Sequence, residues 1–202
     1  MSHFPTMGRP MTDAEHQLLQ LLTTRSFKQG DFTLASGEKS SYYIDGRMSA
    51  VCSEGAYLMG QVLYEWTKDL DIDAIGGLEV GAVPLTTATV MTYRLNNRQM
   101  EGFWVRDKVK SHGTQKRIEG RLIEGARVVI VDDVFTKGGS ALKAVEAVRE
   151  AGCEVVMVLA LVDRLRGARQ LFAENGIDNY RAIFTIRDFG IDVPDDAEAV
   201  AH

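Results

Sequence analysis

Long apolar runs are missing from this chain of 202 residues. The longest, residues 155–162, is eight residues, and a bilayer-spanning helix needs about 20. Cysteine is scarce. Cys52 and Cys153 are the only two, far apart and outside any CxxC pair, which excludes a disulfide framework and a zinc site of ordinary spacing. Both read as small buried hydrophobes. A basic excess is also missing. Lys and Arg number 23 against 28 Asp and Glu, a net charge of −5, so no face with the positive charge that nucleic acid requires is expected. There is no GxxxxGK[ST] string, no GxGxxG fingerprint, no repeat and no low-complexity stretch. The first ten residues hold Pro5, Gly8, Arg9 and Pro10 without an apolar core. They are not expected to act as a signal peptide, and a reducing cytoplasm is the default compartment.

What is present is ordinary for a chain with a real core: 45% apolar and 25% charged residues. The length fits one α/β domain, with a small N-terminal hood over about residues 12–50 and an acidic tail over 192–202. Thr12 with Glu15 forms a capping-box pattern ahead of Leu18, Leu19, Leu21 and Leu22. Residues 32–34 and 42–44 read as short strands around the turn Ser36-Gly37-Glu38. Helices are expected from Ser53 to Trp66 or Lys68, over 82–95 with Pro84 in the first turn, over 140–151 closed by Gly152, and over 168–175 closed by Gly176. Strands are expected over 73–77, 102–106, 127–131, 154–162 and 180–186, with residues 107–124 a polar stretch. Apolar strands alternating with amphipathic helices predict a mainly parallel, twisted sheet flanked by helices on both faces. In such sheets the binding loops follow the carboxyl ends of strands, here after Gly77, Arg106, Val131 and Val162.

One segment concentrates chemistry. The strand Val128-Val129-Ile130-Val131 runs into Asp132-Asp133 and then into the turn Thr136-Lys137-Gly138-Gly139-Ser140. Glycines let backbone N–H groups converge on an anion, and the following helix adds its dipole. Thr136 and Ser140 add hydroxyls. This composition suits a monophosphate. Two carboxylates beside it would repel that phosphate unless they faced sugar hydroxyls or a hydrated divalent cation. The plainer reading is a helix cap by one of the two acids.

The segment resembles the phosphoribosyl-diphosphate (PRPP) motif of type I phosphoribosyltransferases, whose fold is then expected. The resemblance implies that Asp132 and Asp133 hold the ribose hydroxyls and that Thr136, Lys137, Gly138, Gly139 and Ser140 hold the 5′-phosphate. Lys137 stands where the family usually has a small residue. The run from Phe32 to Asp45, with Tyr42 and Tyr43, is similar to the hood of orotate phosphoribosyltransferases, where the aromatic pair lines the base pocket. Without that resemblance it reads as a hairpin packing two tyrosines. The run from Trp104 to Gly113 resembles their mobile catalytic loop and supplies the local positive charge the composition lacks: Arg106, Lys108, Lys110 and His112, with Lys116 and Arg117 beyond. Asp107 stands where the family usually has lysine, which removes one diphosphate contact. Glu79, Val80 and Gly81 match the diphosphate loop. Asp163-Arg164 matches a strand-end pair whose arginine meets the orotate carboxylate, as planar guanidinium chemistry suits. The alternative is a surface ion pair. Thr136 is expected to touch the base as well.

The family then implies transfer of the phosphoribosyl group of PRPP to orotate, with Lys110, His112, Asp132 and Asp133 as catalytic groups. It implies Mg²⁺ held mainly by PRPP, with no direct side-chain ligand and water linking it to Asp132 or Asp133. It also implies a homodimer in which loop 107–119 reaches the neighbouring site. Two alternatives stay open: a different base, and a non-catalytic PRPP sensor.

Overall fold

The computed structural model describes residues 10–33, 37, 39–108 and 117–193. In chain order these form helix α1 (Asp13–Arg25), strands β1 (Phe27–Thr33) and β2 (Lys39–Ile44), and helices α2 (Arg47–Ala50) and α3 (Ser53–Thr67). Then come β3 (Ala74–Leu78), α4 (Ala82–Leu95), β4 (Glu101–Val105), β5 (Ile118–Gly120) and β6 (Arg127–Phe135). The chain continues through α5 (Gly139–Glu150), β7 (Glu154–Asp163), α6 (Ala168–Glu174) and β8 (Tyr180–Thr185), and a 3₁₀ turn spans Ile186–Phe189.

The main sheet has the order β5-β4-β3-β6-β7-β8. All neighbours are parallel except β4 and β5. Its central strands read as continuous apolar runs because both faces are covered: all five residues of β3 are buried, as are residues 128–131 of β6. Leu18, Leu22, Leu63 and Leu85 fill one face with Val129 and Val131. On the other face Ala144, Val148 and Phe172 pack with Val128 and Ile130. After β3 the chain crosses to β4 on one side, and β6 then returns to pair on the other side of β3. The order therefore reverses between β3 and β6, which is where a sheet of this kind opens a crevice at its carboxyl edge.

Four elements depart from the sequence expectation, the first being β1, which begins at Phe27, five residues before the expected start at 32. Residues 107–124 are not wholly irregular: β5 adds to the β4 edge antiparallel, its three residues too few for a period-2 pattern to register. The four-residue α2 is equally short. Strand β6 does not end before the acids but runs through Asp132 and Asp133 to Phe135, because Val134 and Phe135 continue to pair with β7. The acids thus stand on a strand rather than on a helix cap. Cys153 is buried, but half-buried Cys52 is more than filler: its Sγ accepts the Gly55 amide at 3.3 Å and caps α3.

The hood is the antiparallel pair β1–β2 with α1 and α2. Glu15 ties it down. One carboxylate oxygen accepts the Thr12 amide at 2.7 Å, completing the capping box, and the other accepts the Trp66 indole N–H of α3 at 2.8 Å. Only 3% of Glu15 is exposed. Glu15→Ala strips both donors of their partner, and a loss of about 2–3 kcal/mol is expected in urea unfolding. Glu15→Gln keeps an acceptor and should lose less than half as much.

Candidate active site

A cleft of about 540 Å³ opens at the carboxyl ends of β3, β6 and β7. Residues 78–81 follow β3, Asp132 to Ser140 close β6 and enter α5, Arg164 follows β7, and Tyr43, Ile44, Asp45 and Arg47 reach over from the hood. Each wall is a strand end, so rigid sheet geometry sets the spacing of the polar groups.

Asp132 is 6% exposed and Asp133 half-buried. Burial pushes the Asp132 carboxyl well above the usual range, and the charge of Asp133 adds to the shift. Burial also raises Asp133, helped by Asp45. Arg47 offsets part of the shift at Asp133, whereas no cation offsets that at Asp132, and sugar hydroxyls or a bound cation would relieve the pair. Their partners are local: the Asp133 amide donates to Asp132 Oδ1 and the Val134 amide to Asp133 Oδ1, both at 3.0 Å. Among the described residues no group of three or more His, Cys, Asp or Glu could hold a metal ion. Two carboxylates suit a hydrated cation whose other ligands come from a substrate.

Two glycines press against Asp133. A Cβ on Gly46 would come within 2.8 Å of Asp133 Cβ, and one on Gly81 within 2.7 Å of Asp133 Oδ1 and 3.2 Å of Asp132 Oδ1. Gly81 has φ −57° and ψ −43°, which alanine adopts readily, so Gly81→Ala displaces the carboxylates without straining the backbone. Loss of about 10²-fold in kcat/KM for the donor sugar is expected, with the melting temperature little changed. The Glu79–Val80 peptide is cis.

Thr136, Lys137 and Ser140 line the cleft. Gly138 lies behind them, buried and left-handed at φ 76°, and α5 begins at Gly139. The turn therefore presents side chains and a helix N-terminus to the same space, the arrangement that suits an anion.

Arg164 is 5% exposed. Its amide donates to the Phe135 carbonyl, Nε donates to Tyr42 Oη at 3.1 Å, and one terminal nitrogen donates to Ser40 Oγ at 3.2 Å. The guanidinium lies 4.7 Å from the Tyr42 ring centroid. No carboxylate pairs with it among the described residues. The neighbouring Asp163, wholly buried, accepts the Leu165 amide and the Tyr180 hydroxyl instead. The surface ion pair is therefore ruled out. A buried cation held only by neutral hydroxyls leaves a strong demand for an anion. Tyr42 is a correction: at 1% exposure it supports Arg164 from below rather than lining the cleft, because the alternating pattern of β2 turns Ser40, Tyr42 and Ile44 inward and leaves Tyr43 at the rim.

The base of the expected catalytic loop faces elsewhere. Arg106 is bonded to Glu119 at 2.8 Å through Nε and a terminal nitrogen, and it does not line the cleft. Lys108 is exposed and also away from it. Asp107 pairs with Lys143 of α5 at 2.7 Å, which holds its carboxyl below the usual range. Lys110, His112 and Lys116 lie outside the described residues. The sequence reading missed Ser40, Asp45 and Arg47. For the last two, a charged Asp-x-Arg one residue beyond the tyrosines was the available signal.

The fold and this cleft define a phosphoribosyl transfer domain, and the phosphoribosyl transferase domain model matches residues 55–196. An orotate phosphoribosyltransferase of Rhodopseudomonas palustris is 45% identical over 177 residues, 86% of this chain and 94% of that protein. One of Streptomyces coelicolor is 42% identical over 182 residues, 90% of this chain and all of the relative. Among solved structures, orotate phosphoribosyltransferase of Mycobacterium tuberculosis bound to Fe(III) dicitrate superposes with a TM-score of 0.78 at 37% identity, covering 88% of this chain and 99% of the other. The same enzyme with PRPP gives a TM-score of 0.73 at 34% identity over the same shares. The chain belongs to the orotate phosphoribosyltransferase family.

Proposed function

We propose that this chain transfers the phosphoribosyl group of PRPP to orotate, forming orotidine 5′-monophosphate and diphosphate, the step of pyrimidine nucleotide synthesis that joins the base to ribose phosphate. The observation that carries the choice of base is Arg164, a buried guanidinium with no carboxylate partner among the described residues. Orotate brings that carboxylate, and two parallel N–H···O bonds would orient the ring. The donor occupies the rest of the cleft, with its 5′-phosphate on the turn at Thr136 to Ser140, its hydroxyls on Asp132 and Asp133, and its diphosphate toward residues 79–81.

In the reaction N1 of the orotate anion forms a bond to the anomeric carbon as the bond from that carbon to diphosphate breaks, and the electron pair leaves with diphosphate. Asp132 and Asp133 hold the ribose and face the positive charge that develops on it. Lys110 and His112, in the positions the family resemblance assigns, neutralise or protonate the leaving diphosphate. Asp132 or Asp133 would hold a PRPP-bound Mg²⁺ through water, and the ion would supply charge withdrawal from the leaving diphosphate. A homodimer fits the large apolar side chains exposed on α3 and α4, Tyr57, Met91 and Leu95, 54–67% exposed. In it, loop 107–119 serves the neighbouring site. Two free cysteines suit a reducing cytoplasm. No helix among the described residues is long and apolar enough to cross a membrane.

Mixing protein, Mg²⁺, PRPP and orotate should consume orotate absorbance and release diphosphate stoichiometrically. Turnover of uracil, adenine or hypoxanthine in place of orotate would refute the base assignment, and PRPP binding without turnover of any base would leave only a sensor.

A further inference from the structure

Among the described residues the cleft is short of positive charge where diphosphate must sit. Residues 79–81 offer an acid, Glu79, and no cation. Arg106 is committed to Glu119 and Asp107 to Lys143. Among the described residues only Arg47, Lys137 and Arg164 bring cationic side chains to the lining. Lys137 belongs to the phosphate turn and Arg164 to the base end. Arg47 stands apart from both. The segment that carries it touches Asp133 through Gly46, on the same carboxylate that Gly81 touches from the diphosphate loop.

We propose that Arg47, braced by Asp45, is a diphosphate-binding residue of this enzyme, acting beside Lys110 and His112 where Asp107 and the loop at residues 79–81 supply no cation. The inference rests on the donor-binding part of the proposed function. Asp45 holds Arg47 by three bonds: Nε to Oδ1 at 2.8 Å, one terminal nitrogen to Oδ2 at 2.7 Å, and the Arg47 amide to Oδ1 at 3.1 Å. The second terminal nitrogen has no partner among the described residues, so two N–H donors stay available. Its side chain is 52% exposed against 14% for Asp45, so the brace is shielded and the cation is presented. The chemistry of the donor gives the direction. Diphosphate sits on the carbon next to the one bearing the 2-hydroxyl, so a sugar held by Asp132 and Asp133 projects it beside these acids, between Arg47 and residues 79–81. A guanidinium already fixed in place loses little freedom when it meets an anion, and planar donors suit phosphate oxygens.

The test is calorimetry on the full chain with Mg²⁺ and two probes, inorganic diphosphate and ribose 5-phosphate. Arg47→Ala should weaken diphosphate by about tenfold or more and leave ribose 5-phosphate within about twofold. Arg47→Lys keeps the charge without the fork and should fall between. Asp45→Asn loosens the brace and should weaken diphosphate by about threefold. In steady state the KM for PRPP rises while that for orotate holds. Equal weakening of both probes by Arg47→Ala would reveal a structural role and overturn the proposal, as would unchanged diphosphate affinity. Wild-type turnover of PRPP and orotate separates the two claims: an active enzyme with an indifferent Arg47 sinks only this inference, and an enzyme that binds diphosphate through Arg47 but ignores orotate sinks only the base assignment.

Discussion

Replacing Arg164 by alanine should cut kcat/KM for orotate by about 10³-fold, roughly 4 kcal/mol of transition-state stabilisation. The size follows from where the side chain stands. A surface arginine would let water solvate a bound carboxylate. Arg164 is enclosed by Ser40 and Tyr42 beneath and by the Phe135 carbonyl on its backbone, so its removal leaves the substrate anion in a pocket with no compensating donor. Arg164→Lys retains charge but not the paired geometry and should recover about tenfold at most. Affinity for PRPP, measured by calorimetry, should barely move, because no proposed donor contact, at the ends of β3 and β6 or at Arg47, involves Arg164. A parallel loss of PRPP affinity would show that Arg164 supports the whole cleft rather than the base.

Asp132→Asn should abolish most activity and yet stabilise the empty protein at neutral pH. The sign follows from linkage. Burial raises the native carboxyl above its unfolded value, so the native state binds the proton more tightly than the unfolded chain does. Stability therefore falls as pH rises from the ordinary aspartate pKa, about 3.9, through the raised native one, and above that the full cost is carried. Asparagine keeps the oxygen that accepts the Asp133 amide and removes the charge. The variant should melt several degrees higher than the wild type at pH 7 and at the same temperature below about pH 4, while kcat/KM drops about 10²-fold. PRPP with Mg²⁺ should raise the wild-type midpoint more than the variant's. A variant less stable than wild type at pH 7 would overturn this account. Such a trade of stability for function is common where a site needs buried charge.

The main elements were legible because each repeats a local signal several times. Helix α4 matched its expected 82–95 limits, since Pro84 and the end of the apolar period mark both ends. The capping box at Thr12 and Glu15 formed as read. What stayed hidden was short or non-local. Three residues of β5 and four of α2 carry no period. Tyr42 and Arg164 are 122 positions apart, and nothing in either segment says that a hydroxyl of one will meet the guanidinium of the other. Arg106 was expected in the cleft because the run from Trp104 to Gly113 resembles the family's catalytic loop, but β5 places Glu119 within reach.

By itself the sequence determined the alternation of strands and helices, the acid pair beside its phosphate turn, and the Asp-Arg at the end of β7, because these are contiguous and backbone chemistry acts over a few residues. Only the tertiary structure decided which charges face the cleft. Hood and sheet meet there from distant parts of the chain, so burial, which sets the demand of Arg164 for an anion and raises Asp132, is a property of the assembled walls and of no single segment.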